Sequence, residues 1–149
     1  IVVIERAVKL NPNCADAIEQ QGEILIWAGR PQEGMELVRK AMRFNPIYPV
    51  WYLWNLGHAY FVADQHEEAL EILQKALIIN PDFLPVHLVL VLIYAEKGWK
   101  EAVKVEVARI SRISPASYSM KALCQRLPYK DQAVYERVIE GLCKAGIPE

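Results

Sequence analysis

The chain has 149 residues, 53% of them hydrophobic and 23% charged, a balance that suits a packed core and excludes an intrinsically disordered chain. Seventeen Lys and Arg stand against eighteen Asp and Glu, so the positive field with which nucleic-acid binders gather phosphates is missing. The longest nearly unbroken apolar run, Phe83 to Ala95, holds Pro85 and His87 and falls short of the roughly twenty residues a membrane helix needs, so neither nucleic acid nor a bilayer is expected as a partner.

The first residues, Ile1-Val2-Val3-Ile4-Glu5-Arg6, lack the basic start and small-residue cleavage site of a signal peptide and read as a piece of a longer chain. Cys14, Cys124 and Cys143 are an odd set with spacings of 110 and 19, which fits neither a disulfide framework nor a paired metal site. A reducing, cytoplasmic compartment is the expectation, with the three thiols as small apolar residues.

Along the chain, Asn or Ser precedes Pro12, Pro46, Pro81 and Pro115, at proline intervals of 34, 35 and 34. Each proline follows a helical stretch, such as Ala41-Met42-Arg43-Phe44 or Ala76-Leu77-Ile78-Ile79, which must stop there because proline has no N–H and disfavours the helical conformation in its predecessor. A second break falls inside each period, at Gly29-Arg30-Pro31, Ala63-Asp64-Gln65 and Lys97-Gly98-Trp99. Each period is therefore predicted to be a helical hairpin. Pro31 suits a first helical turn, and Asp64 with Glu67 has the spacing of a capping box. Leu53, Leu56 and Tyr60, then Leu70, Leu73 and Leu77, repeat at helical intervals. After Pro115 the pattern decays until an amphipathic helix from about Gln132 to Lys144, with Asp131 as N-cap, Gly146 as the residue that ends it, and Val134, Val138 and Leu142 facing the preceding hairpin.

These residues resemble the tetratricopeptide repeat, best in Leu53, Leu56, Gly57, Tyr60, Ala69, Leu73, Ala76 and Pro81. The first repeat shows Ile18, Gln21, Gly22, Leu25, Gly34, Val38, Ala41 and Pro46. The third shows His87, Leu90, Val91, Tyr94, Val103, Val107, Ile110 and Pro115, with Ala102 one residue ahead of its usual place, which leaves two registers for that helix. The resemblance implies an all-α, right-handed superhelical solenoid of antiparallel helix pairs forming a single domain. Its parts would be the second helix of a truncated repeat at 1–12, repeats at 15–48, 50–83 and 84–117, and a degenerate capping repeat at 118–149. Gly22, Gly57 and Ala69 would let paired helices approach, Ala41 and Ala76 would admit the next repeat, and stacking of neighbours would supply the rigidity.

The same resemblance places repeat positions 2, 5, 9, 12 and 13 of each first helix on a concave groove. These are Asp16, Glu19, Glu23, Ile26 and Trp27, then Trp51, Trp54, His58, Phe61 and Val62, then Pro85, Leu88, Leu92, Ala95 and Glu96. The groove would bind a helix or extended peptide, apolar or basic. Trp27, Trp51, Trp54 and Phe61 would anchor it, and Glu19, Glu23 and Glu96 would disfavour acidic partners. The Lys and Asn residues with which some members of the family grip a terminal carboxylate are replaced here by Glu19, Trp54 and Leu88 and by Glu23, His58 and Leu92. Three fates remain open to Trp51 and Trp54: binding surface, packing within the array, or burial against a second copy.

A narrower resemblance, carried by Asn45-Pro46-Ile47-Tyr48-Pro49-Val50-Trp51-Tyr52-Leu53-Trp54-Asn55-Leu56-Gly57 and by Leu127-Pro128-Tyr129-Lys130-Asp131 with Ala145-Gly146-Ile147-Pro148-Glu149, is to C-terminal repeat regions of bacterial adenylate/guanylate cyclase-type signalling proteins. It implies a regulatory attachment and no cyclase activity. Phosphate-loop, dinucleotide, zinc-protease and nucleophile-elbow motifs are missing, and His58, His66 and His87 have no companion cluster at ligand spacing. The expectation is a non-catalytic protein-interaction scaffold with no cofactor and no metal. The alternatives are a homodimerising module and an enzyme or metal protein of unrecognised type.

Overall fold

The computed structural model describes residues 14–114 and 128–146. Among them the chain forms seven α-helices and no strand: α1 Ala15–Trp27, α2 Pro31–Phe44, α3 Val50–Val62, α4 His66–Ile79, α5 Leu84–Glu96, α6 Lys100–Ile113 and α7 Gln132–Lys144. The helix expected at 1–12 and the stretch 115–127 lie outside the described residues. Two compact units are present, one ending at Ile79 and one starting at Asn80. In the first, α1 pairs with α2 and α3 with α4, while α3 also packs on α2; in the second, α5 pairs with α6 and with α7.

The three turns inside the hairpins share one backbone solution. Gly29 at φ 78°, Asp64 at φ 63° and Gly98 at φ 70° each reverse the chain in the left-handed conformation. The following N–H closes back on the helix in every case, from Arg30 to Leu25, Gln65 to Tyr60 and Trp99 to Tyr94. Asp64 therefore stands where its counterparts are glycine, and α4 begins two residues later, at His66. Pro31 opens α2. Asp131 caps α7 by accepting from the N–H groups of Ala133 at 2.9 Å and Val134 at 3.3 Å.

In the first hairpin a Cβ on Gly22 would stand 2.9 Å from the Gly34 carbonyl oxygen, and one on Gly34 would stand 2.8 Å from the Gly22 oxygen. The two backbones touch, which only glycine permits. Ala41 is fully buried with Ile18 and Tyr52, and its small side chain makes room for α3 on α2. In the third hairpin Val103 and Ile110 are buried and Ala102 is half-buried, so Val103 holds the interface place and the register of α6 matches that of α2 and α4.

That third hairpin contains one exchange of chemistry. Repeat places held by Ile18 and Leu37, and by Leu53 and Ile72, pass to His87 and Glu106. Both are buried, His87 Nδ1 lies 2.6 Å from Glu106 Oε2, and His87 Nε2 lies 2.8 Å from the Pro81 carbonyl oxygen. A carbonyl only accepts, so Nε2 carries a hydrogen, and the other ring nitrogen shares one proton with the carboxylate.

Candidate partner-binding site

The residues expected to line the groove are distributed in the first unit as follows. Trp51, in the first turn of α3, is 44% exposed. Its ring lies 6.3 Å from that of Tyr52, which stacks on Tyr48 at 6.1 Å. One turn along, Trp54 is half-buried and lies 6.4 Å from Trp27 at the end of α1. Between them sits His58, 4.5 Å from Trp27 and stacked on Trp54 at 5.7 Å. Burial pushes the His58 imidazole down to about 3, so it behaves as a neutral aromatic ring at any physiological pH. Trp27 donates its indole N–H to Glu23 Oε1 at 3.3 Å, which fixes the edge of the cluster. The face presents one open indole, two half-covered ones and a carboxylate.

Several expected lining residues are withdrawn from the surface. Glu19 is 1% exposed and accepts a hydrogen bond from Asn55 Nδ2 on α3. Burial first, then the neighbouring Glu23 and Asp16 charges, push its carboxyl up to about 7 against the hydrogen bond from Asn55. The Asn55 Oδ1 atom is buried without a hydrogen-bond partner; a protonated Glu19 supplies the kind of hydrogen that atom lacks. Glu19 therefore joins two repeats from inside and cannot select partners at a rim. His58 and Phe61, at 1% and 0%, are likewise interior. They are short-range core, because α3 is apolar on nearly every side and buries more than one face. Asp16 stays exposed and accepts from the Tyr52 hydroxyl at 2.6 Å. Burial, with the Asp16 carboxylate beside it, holds the Tyr52 phenol above its ordinary range.

In the second unit Leu88 is half-buried. Leu92 is 5% exposed because α7 covers it: a Cβ on Gly141 would stand only 3.0 Å from Leu92 Cδ2. Glu96, expected as a rim charge, is paired with Arg137 Nε at 2.6 Å. The inward face of α7 follows expectation, with Val138 and Leu142 buried, yet the places it covers, Leu92 and Glu96, are ones expected to line the groove. The sequence reads Arg137 as a solvating surface charge, whereas it is half-buried and paired with Glu96, and Gly141 was missed. The available signal was a glycine inside the last turn of an otherwise good amphipathic helix, which costs up to about 1 kcal/mol unless close packing needs it. An open cleft of about 400 Å³ lies beside the end of α7, lined by Tyr94, Gly98, Lys100, Val103, Lys104 and Lys144 among others. Lys104 and Lys144 are held by Glu101 and Glu140 of their own helices, each at 2.7 Å. No helix among the described residues is long and apolar enough to cross a membrane.

Comparison with known proteins agrees with this geometry. Residues 50–83, the α3–α4 hairpin and its flanks, match the tetratricopeptide repeat family. No curated protein sequence matches the chain. Among solved structures, a crystal structure of MamA is similar over 95% of this chain and 82% of its own, at 21% identity and a TM-score of 0.64. A second MamA structure gives the same identity and score over 76% of its length. YrrB, described as a TPR protein with an unusual peptide-binding site, is similar at 22% identity and a TM-score of 0.59, covering 95% of this chain and 72% of that one. At such identities the likeness speaks for the fold alone. The match is thus confined to residues 50–83, and the chain has the all-α fold of tetratricopeptide-repeat structures.

Proposed function

We propose that this chain is a non-catalytic protein-interaction module whose binding face in the first unit is built on Trp51, Trp54 and Trp27, and that its ligand is a helix or extended peptide of apolar or basic character. The observation that carries the reading is Trp51, which keeps 44% of its surface open at the start of a helix whose other large side chains are mostly buried. Exposed tryptophans next to further aromatic rings are the commonest anchors of protein interfaces, since they bury much area at little rotamer cost. Asp16 and Glu23 give the neighbourhood a negative sign and favour a cationic partner. The peptide-binding site in the description of YrrB is consistent with this role. The wider setting that fits it is a regulatory segment of a larger cytoplasmic bacterial signalling protein of the nucleotide-cyclase type.

The test uses two matched amphipathic helical peptides, one with lysines and one with glutamates on the polar face, titrated against the chain and read by tryptophan fluorescence and calorimetry. The lysine peptide is expected to bind, and Trp51→Ala is expected to weaken it by about tenfold or more, the cost of truncating an aromatic anchor. Equal affinity for wild type and Trp51→Ala, or preference for the glutamate peptide, overturns the reading.

Self-association is favoured by a separate observation, the exposure of Ile47 at 92%, Ile78 at 82% and Ile79 at 57%. Light scattering over a concentration series separates the two, because a constant monomer mass removes the second.

A further inference from the structure

The cleft beside the end of α7 lies within the second unit, between the end of α5, the first turns of α6 and the end of α7. Tyr94 and Val103 give it an apolar wall, and Lys100, Lys104 and Lys144 line it with cations. No carboxylate is among its lining residues, although the chain as a whole carries a net charge of −1. Lys104 marks the change from the other repeats. Its repeat place is held by Met35 in the first and Leu70 in the second, 5% and 8% exposed, whereas the Lys104 side chain is 70% exposed. An apolar core residue of two hairpins is thus a cation in the third, at the cleft. The pairs Lys104–Glu101 and Lys144–Glu140 lie open to solvent, where such pairs are worth at most about 1 kcal/mol, so a more highly charged ligand can displace the carboxylates. Lys100 makes no ion pair among the described residues.

We propose that this cleft binds a small organic phosphate monoester, with its phosphate on Lys100, Lys104 and Lys144 and its apolar body against Tyr94 and Val103. A volume of about 400 Å³ suits a small molecule. A phosphate monoester carries a charge of about −1.5 to −2 at pH 7, which matches several ammonium groups better than a single carboxylate does. Lysine meets phosphate as an adjustable point charge and needs no fixed fork geometry. The site uses no residue of the first unit, so this proposal and the aromatic binding face can fail independently.

The test titrates phenyl phosphate, phenol and inorganic phosphate into the full chain at low salt, read by calorimetry. Phenyl phosphate is expected to bind about tenfold more tightly than either fragment, because only the ester engages both the lysines and the apolar wall. Lys100→Gln and Lys104→Leu should each weaken it about tenfold. Both positions are exposed, and Lys104→Leu installs the kind of residue the other repeats carry, so neither variant should lower the thermal unfolding midpoint. Three results would each overturn the proposal: phenyl phosphate binding no better than phenol or inorganic phosphate, unchanged affinity in the two variants, or weakened binding only where the unfolding midpoint also falls. A phosphotyrosine peptide binding about tenfold more tightly than phenyl phosphate would assign the phosphate to a protein partner and overturn the small-molecule reading.

Discussion

Where the first hairpin sets Gly22 against Gly34, backbone to backbone, the third carries Val91 and Val103 at the same repeat places, exposed by 0% and 8%. Two valines cannot be packed at the distance two glycines allow, so the third hairpin gives up close approach and fills the seam with side chains. The two hairpins also bury their carboxylates differently. Glu19 of α1 reaches out of its hairpin to a neutral amide on α3, and burial drives it toward the protonated form. Glu106 of α6 stays within its hairpin and meets a ring nitrogen of His87 that can carry the opposite charge. One repeat spacing thus supports two ways of stabilising a buried acid, and the partner within reach decides between them.

The largest expected effect comes from separating His87 and Glu106. His87→Leu leaves Glu106 buried without its partner and should cost about 3 kcal/mol or more in urea unfolding. The double change His87→Leu with Glu106→Leu restores the apolar pairing that Ile18 and Leu37 have in the first hairpin and should return stability to within about 1 kcal/mol of wild type. A double variant as unstable as the single one would mean that the bond to Pro81, and not the pairing, holds this hairpin.

Next in size is the contrast between glycines. Gly34→Ala pushes a Cβ to 2.8 Å from a backbone oxygen and 2.5 Å from Ile26 Cγ1, and neither backbone can move without opening the hairpin. Overpacking of this kind costs about 2–3 kcal/mol. In Gly57→Ala the close atoms belong to the Leu73 side chain, at 2.6 and 2.7 Å, while the nearest backbone atom is 3.6 Å away. A side chain can turn aside, so the loss should be about 1 kcal/mol, partly offset by the better helix propensity of alanine. Equal losses in thermal unfolding would contradict the picture of backbone contact confined to the first hairpin.

The last effect is pH-dependent and fades toward pH 4.5. Glu19 sits at about 7 in the folded chain against an ordinary 4.5, so the native state holds the extra proton between those values. Its favourable contribution is complete below about pH 4.5 and is lost as pH rises through 7. Glu19→Gln keeps an acceptor for Asn55 Nδ2 and adds a permanent donor for Asn55 Oδ1. It should stabilise the chain by about 2 kcal/mol at pH 8 and by little at pH 4.5. His58, driven down by burial, has the opposite slope in the acid range and cancels in the difference between the two proteins. A difference independent of pH would show that Glu19 is charged throughout.

Much of this architecture was legible in residue spacing. Prolines at 34- and 35-residue intervals, with Gly29 and Gly98 midway, marked every hairpin, because proline and left-handed turns are local constraints that a linear pattern can express. Asp131 and Gly146 bounded the last helix for the same reason. The site was legible only in part. Trp51 emerged as an open anchor, whereas Glu19, His58 and Phe61 went inside, since a helix as apolar as α3 does not announce which of its faces will be covered. The pairing of His87 with Glu106, 19 residues apart, followed no pattern visible along the chain.

Sequence by itself determined the repeat length, the helix pairs and the small residues at their seams, because each rests on what one residue permits its own backbone or its partner a fixed distance away. Only the tertiary structure decided which carboxylates lose contact with water, which indoles stay open, and that the last helix settles on Leu92 and Glu96. Those outcomes depend on desolvation and on contacts between residues far apart in the chain, and no single position encodes them.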